Sequence, residues 1–528
     1  MITTPAAATT SQRPTSPVFR AAPAAGDGSL PHFKIAIIGT GFAGLGMAIR
    51  LLQKGERDFV VLERAGEVGG TWRDNTYPGC QCDVPSHLYS FSFAPNPNWT
   101  RAFSRQPEIW EYLRGCVRKF GVTPHIRFNH AVTMASWDED KQRWTIETAG
   151  GTITANVMIS GMGGLSEPFI PPLAGLDKFK GTYFHSATWN HEHDLKGRRV
   201  AVVGTGASSI QFVPRIQREV GQMFLYQRTP PWIMPHRDKR LAAWKHRLYN
   251  RFPAAQKLVR SLIYWGREGF VPFFINEKLA GVPKGIALKH LENQVADPGL
   301  RARLTPDYQV GCKRILISND YYPALQQPNV EVVSDGIKEI REHSIVSTDG
   351  TEREVDTIIF GTGFHVTDSP YAERIRGRDG QLLSEVFEGS PQALRGTTVA
   401  GFPNAFILLG PNTGLGHTSV VVMVEAQVNY VLDCLRFMDR NDAVTIEARD
   451  DAQQVYNQKL QGELKDTVWN AGGCSSWYLD ASGRNSTLWP TYTWKFIREM
   501  RHFRPAEFNV RSGQRARSGE PALKEATA

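Results

Sequence analysis

The apolar pattern begins with a short unbroken run, Ile35–Ile38, within KIAIIGTGFAGLGMAIRLL. A run of this length, closed by glycine, reads as a strand buried on both faces, as a parallel sheet requires. Helical periodicity follows, so strand, turn and helix are predicted in succession. DFVVLER predicts a second strand ending in Glu63. The same order returns in RRVAVVGTGASSIQFVP, with a strand at Val200–Val203, and in the strand MFLYQRTP after it. EVDTIIFGTGF, residues 354–364, predicts a further buried strand ending in Gly361-Thr362-Gly363. Leu241, Trp244, Leu248 and Phe252 recur at helical spacing and predict an amphipathic helix. Strands alternating with helices give the expected fold class: α/β, with two Rossmann-like dinucleotide-binding domains and a helical insertion. No stretch approaches about 18 uninterrupted apolar residues, which excludes a spanning helix.

Composition changes this picture in three places. Apolar residues make up 41% of the 528 and charged ones 21%, a globular balance rather than a disordered one. The net charge is +9, and residues 237–267 hold nine Lys/Arg against the single acid Asp238. This helix is expected to pack its apolar stripe on its own protein and leave its charge in water. Contact with an anionic membrane surface is the less favoured reading. No nucleic-acid motif accompanies the charge. The six cysteines include no C-x-x-C pair, which argues against a dithiol redox centre and a zinc ribbon; a reducing cytoplasm is expected. Residues 1–32 and 503–528 read as tails.

The two turns carry the first chemistry. Gly39, Gly41 and Gly44 form G-x-G-x-x-G, which brings a pyrophosphate to a helix N-terminus. Glu63, 24 residues after Gly39, stands where an acid accepts from ribose hydroxyls. In the second copy Gly204 and Gly206 are kept and Ser209 replaces the third glycine. Arg228 stands 24 residues after Gly204, the offset of Glu63 in the first copy. An arginine there suits a 2′-phosphate. The first turn is therefore expected to hold FAD and the second NADPH. Thr205, Ser208 and Thr229 are further candidate contacts of the second.

GGTWRDNTYPGCQCD, residues 69–83, and FKGTYFHSATWN, residues 179–190, resemble the two fingerprints of the Baeyer–Villiger monooxygenases, a branch of the class B flavoprotein monooxygenases. The first matches at Gly70, Trp72, Tyr77, Pro78, Gly79 and Asp83; the second at Phe179, Gly181, His185 and Trp189, with Asn190 where the family usually has Pro or Asp. GCKRILISNDYY, residues 311–322, resembles the segment that carries the family's active-site arginine. The resemblance covers most of residues 33–500. It implies that Arg314 is catalytic, that Asp83 lies beside the flavin and orients it, and that Lys313 is a second contact for the 2′-phosphate. It also implies flavin contacts at Gly70, Thr71, Trp72, Tyr89 and near Val132, and a nicotinamide nucleotide contact at Trp477. LLGPNTGLGHTS, residues 408–419, looks like the loop facing the flavin pyrimidine, and His185 takes a structural or hinge role. No metal site is expected from His417 or from His191 and His193. The related flavin monooxygenases that oxygenate soft nitrogen or sulfur are the alternative; Trp189 argues against them.

The implied activity is oxygen insertion beside a ketone carbonyl, through a C4a-peroxyflavin, to give an ester or lactone. The implied partners are molecular oxygen and an apolar ketone, the latter suggested by Trp469, Trp477 and Trp489. The expected organisation is an FAD domain from residues 33–170 and 385–500 and an NADP domain at 180–380, with the helical insertion at 235–300.

Overall fold

The computed structural model describes residues 30–513. The tail readings for residues 1–29 and 514–528 lie outside the described residues.

His32–Ile38 sits inside an eight-stranded sheet and pairs in parallel with Phe59–Leu62 and with Gly151–Ser160. Ile126–Arg127 extends the sheet on one side; the antiparallel strands Val132–Asp138 and Arg143–Thr148 extend it on the other. Two strands return from much later in the chain: Ile375–Arg376 beside Val132–Asp138, and Ala405–Ile407 beside Gly151–Ser160. Ile35–Ile38 is buried throughout, as its unbroken apolar run requires. The following helix, Phe42–Gln53, buries most of its residues, because helices Gln106–Phe120 and Val420–Arg440 pack against it. Only its C-terminal end, at Arg50 and Gln53, reaches solvent, so it carries no continuous polar face.

The second sheet is wholly parallel. Its order is Val330–Val333, Gln222–Tyr226, Arg199–Val203, Thr357–Phe360, Thr182–His185. Two linker segments run side by side between the sheets: Phe169 N–H donates to Gly363 O at 2.9 Å, and His365 N–H donates to Glu167 O at 2.9 Å. His185 is buried next to this crossing, and its Nδ1 accepts from Ala187 N–H at 3.1 Å. Burial pushes its pKa down to about 4, so the ring is neutral and structural at working pH.

Helices Ala243–Arg251, Pro253–Glu268, Pro272–Ile275, Gly281–Gln294 and Pro298–Arg303 follow Gln222–Tyr226 before the sheet resumes. The helix around Leu241–Phe252 forms, but its stripe does not pack as expected. Leu241 and Leu248 are half-buried, whereas Trp244 and Phe252 are exposed. The reason is a competing inward face of polar groups: His246 Nε2 lies 3.0 Å from Trp99 O, and Asn250 Nδ2 donates to Asn98 Oδ1 at 2.7 Å.

The C-terminal tail expected from residue 503 is also corrected. Phe503 and Phe508 are buried, and Phe508–Ser512 pairs antiparallel with Ala443–Ala448. The fully buried Arg395 donates to Glu507, so this segment neutralises a core charge. At the other end His32, expected in a tail, already pairs with Thr154.

Candidate active site

In the first turn the three glycines are required by space. Gly39 has φ +95°, and a Cβ on Gly44 would lie 1.9 Å from Gly39 O. Gly41 faces Gly70, where a Cβ would come within 3.1 Å of Gly41 Cα. The fingerprint loop therefore closes on the turn backbone to backbone, at the N-terminus of Phe42–Gln53. Glu63 is buried at the end of its strand and accepts from Thr40 N–H at 3.0 Å and Thr40 Oγ1 at 2.5 Å. Arg73 also donates to Glu63, at 2.8 Å. Neither Thr40 nor Arg73 stood out in the sequence. Thr71 and Trp72 lie in the short helix Thr71–Asp74; Trp72 Nε1 donates to Tyr89 Oη at 3.1 Å. Val132 opens its strand close to Glu63, since His130 N–H donates to Glu63 O at 2.8 Å.

The second turn uses the same geometry with a different filling. Gly204 has φ +101°, and a Cβ there would meet Gly361 O at 2.6 Å. Gly206 precedes the helix Ser209–Ile216, whose N-cap is Ser208. Ser209 fits at the packing position because it opposes Gly361, which has no side chain. Thr205 Oγ1 donates to Thr229 O at 3.2 Å and joins the turn to the segment after Arg228. Arg228 is exposed. Burial, and then the nearby Arg228 charge, hold the Lys313 amine below its ordinary pKa. Two cations brought this close fit a doubly charged phosphate.

Asp83 and Arg314 meet between these two regions. Arg314 Nε and Nη2 donate to the two Asp83 oxygens at 2.8 and 2.7 Å. The carboxylate is the main cause that raises the guanidinium pKa further, so Arg314 is a permanent cation. The Asp83 loop is itself held by the second sheet. Gln211, on Ser209–Ile216, accepts from Tyr77 Oη and Gln81 N–H, each at 3.1 Å, and donates to Gln81 O at 3.0 Å. A polar cleft of about 170 Å³ opens beside Asp83, lined by Gln81, Arg101, Gln211, His236 and Asp238 among others. Half-buried Arg267 is close enough to feel both Asp83 and Arg314.

Cys312 and Cys474 form a disulfide, which the reducing cytoplasm expected from the sequence did not anticipate. They lie 162 residues apart in the chain, so folding brings together what spacing did not. The bridge fastens the Lys313-Arg314 segment to the loop that carries Trp477. Trp477 is exposed, while Trp469 and Trp489 are core residues and line no open surface. Tyr478, next to Trp477, is buried near Arg314, and burial pushes its phenol up to about 12.

At the end of the 408–419 loop, Ser419 caps the helix Val420–Arg440 by accepting from Val421 N–H at 3.2 Å. Its N-terminus favours negative charge. His417 has an acidic neighbour that the sequence did not suggest: Glu268 Oε2 lies 3.6 Å from its Nε2.

Residues 32–400 match the family model described as flavin-binding monooxygenase-like. A Baeyer–Villiger monooxygenase of Streptomyces coelicolor is 52% identical over 481 residues, covering 91% of this chain and 93% of that protein. The chain belongs to this family, in its Baeyer–Villiger branch. Among solved structures, cyclohexanone monooxygenase from Rhodococcus sp. Phi1 bound to NADP+ superimposes with a TM-score of 0.81 at 26% identity, covering 92% of this chain and all of that one. The OTEMO complex with FAD and NADP gives 0.82 at 25% identity over the same shares.

The donor sets fit two different dinucleotides. The first turn offers a glycine cradle, a helix N-terminus and a buried acid; the second offers a cradle and two cations. Missed at the sequence level were Arg73, Gln211, Arg267 and Glu268. Gln211, Arg267 and Glu268 act through partners far away in the chain, so no local pattern announces them; Arg73 reaches Glu63 from only ten residues away, across the turn between them.

Proposed function

We propose that this chain is an FAD-dependent, NADPH-consuming Baeyer–Villiger monooxygenase. It inserts one atom of dioxygen beside a ketone carbonyl to give an ester or lactone, and the other atom leaves as water. The observation that carries the reading is the bidentate Asp83–Arg314 pair, set between an acid-bearing turn and a turn with two cations. The Streptomyces coelicolor relative supports it.

Bound FAD and NADPH supply hydride transfer and the activation of dioxygen. The chain supplies position and charge. Gly39, Gly41 and Gly44 admit the FAD pyrophosphate, Glu63 accepts from its ribose, and Gly70, Thr71, Trp72, Tyr89 and Val132 line its course. Gly204, Thr205, Gly206 and Ser208 admit NADPH, and Arg228, Thr229 and Lys313 take its 2′-phosphate. Trp477 lies against the nicotinamide half. Arg314 presents a fixed positive charge to the oxyanion that develops on the substrate, and Asp83 holds the guanidinium in one plane. We assign flavin binding to residues 33–170 and 385–500 and NADP binding to 180–380. The substrate proposed is an apolar ketone, for which only Trp477 of the three tryptophans remains exposed. We place it in the cytoplasm on the strength of the four free cysteines among the described residues, against which the Cys312–Cys474 disulfide stands.

Oxygen-18 incorporation, measured with cyclic, aryl and long-chain ketones and with thioethers, tests the reading. One labelled oxygen in an ester, with one NADPH used, supports it. Labelled sulfoxide with no ester from any ketone overturns it.

A further inference from the structure

The helix Pro253–Glu268 turns its polar side inward. Gln256 Nε2 donates to Asn96 O at 2.6 Å. Arg260 Nη1 donates to the carbonyls of His87, Leu88 and Ser90, at 2.7, 3.2 and 2.9 Å. Buried Glu268 accepts from the backbone N–H groups of Thr493 and Trp494, each at 3.2 Å. These bonds fix which face of the helix meets the protein.

The opposite face is apolar. Leu258, Leu262 and Trp265 are 61%, 63% and 58% exposed, and their spacing aligns them in one row. Trp244, Phe252 and Phe270 are exposed in the adjoining turns. Of the eighteen exposed large apolar residues among the described residues, ten fall between residues 244 and 286. An apolar surface so concentrated is unfavourable in water and marks a contact face. Arg247, Arg251 and Lys257 are exposed around it, and among the described residues none forms an ion pair.

The charge selects the partner. In a two-fold contact between copies, the same patch would face itself. Here that would set the exposed cations Arg247, Arg251 and Lys257 against an identical set. An anionic phospholipid surface instead takes the apolar row into its acyl boundary and the cations among its headgroups. No helix among the described residues is long and apolar enough to cross a membrane, so the contact is peripheral.

We infer that the outward face of Pro253–Glu268, with the helices beside it, docks on the surface of an anionic phospholipid bilayer. The inward side of the same helix bears Arg267, which lies near Asp83 and Arg314. An apolar substrate dissolved in the bilayer thus enters beside the helix that walls the site. The docking itself does not depend on the reaction proposed above.

Sedimentation of the holoenzyme with sucrose-loaded vesicles tests this. Phosphatidylcholine alone is compared with phosphatidylcholine containing phosphatidylglycerol. The protein is expected to sediment with the anionic vesicles and to be released at high salt. The combined variant Leu258→Ser, Leu262→Ser, Trp265→Ser should lower vesicle binding by about tenfold or more, with flavin content and NADPH oxidation in solution unchanged. A second variant, Arg247→Glu, Arg251→Glu, Lys257→Glu, should do the same and carries the test if the first fails to hold flavin. Native protein that stays in the supernatant with anionic vesicles overturns the inference. So does equal binding by the variants, or a serine variant that merely converts a dimer to a monomer. Loss of ketone oxygenation without loss of vesicle binding would count against the reaction and leave the docking standing.

Discussion

Asp83 accepts two parallel hydrogen bonds from one edge of the Arg314 guanidinium, joining positions 231 residues apart. Neither partner is free to follow the other. Gln211 holds the Asp83 loop from the second sheet, and the Cys312–Cys474 disulfide holds the Arg314 segment from the C-terminal loop. Two of the five guanidinium donors are spent on Asp83, so the pair fixes the plane in which the others point.

The first prediction follows from that fixed cation. Arg314→Ala leaves Gly39, Gly41 and Glu63 in place, so the variant should bind flavin and remain reducible by NADPH. Loss of one preorganised oxyanion donor typically costs ~10²–10³ in rate. Ester per NADPH should collapse, with hydrogen peroxide in its place. Stopped-flow absorbance follows reduction and reoxidation, and chromatography counts product. Ester formed in full proportion to NADPH would mean that another cation serves.

Nucleotide choice rests on Arg228 and Lys313. Their proximity costs energy until an anion lies between them, so NADPH should be strongly preferred over NADH. Arg228→Ala should lose a charge-assisted contact of ~1.5–3 kcal/mol, about ten- to a hundredfold in KM for NADPH. NADH use should barely change. Steady-state rates with both nucleotides decide it, and native enzyme that used NADH equally well would refute it.

Much of the two nucleotide turns could be read from the chain, because an apolar run, a glycine turn and an acid or arginine at fixed distance are local signals. Asp83 and Arg314 were named only through the family resemblance, since nothing local couples residues so far apart. The insertion helix shows the limit of periodicity. The period of Leu241, Trp244, Leu248 and Phe252 gave a helix, but not which face meets water, because His246 and Asn250 find partners on the distant Asn98–Trp99 segment. Cys312–Cys474 escaped for the same reason.

Acid should destabilise the fold through His87. Burial first, then Lys245 and Arg260, push its pKa down to about 4. The unfolded value is about 6.5, so the native state binds fewer protons below that pH. This contribution is fully present above pH about 6.5 and is lost as pH falls towards about 4, to at most about 3 kcal/mol. His87 Nδ1 lies 3.2 Å from Gln256 Nε2, a bond that an Asn amide oxygen can replace. Thermal midpoints of native and His87→Asn protein between about pH 8 and pH 5 should diverge on the acid side. Parallel curves would assign the acid loss to other groups.

Ser209 and Gly361 make the last prediction. A Cβ on Gly361 would lie 2.1 Å from Ser209 Oγ, whereas Ser209 Cβ and Val203 O would be 3.5 and 3.6 Å away, ordinary contact distances. The obstacle is therefore one oxygen atom. That oxygen is buried and has no hydrogen-bond partner among the described residues. Removing it restores no lost bond and relieves a desolvated hydroxyl, so Ser209→Ala alone should leave stability unchanged or raise it. Gly361→Ala alone overpacks the second turn and should cost about 1–3 kcal/mol. It should also weaken NADPH binding, because Gly204 packs on Gly361 O. In the double variant the two methyl groups fit, and most of both losses should return. The coupling expected between residues in contact is about 0.5–3 kcal/mol. Thermal midpoints and KM for NADPH across the four proteins measure it. If the double variant is no better than Gly361→Ala, the close approach of Ser209 does not set the packing of the turn.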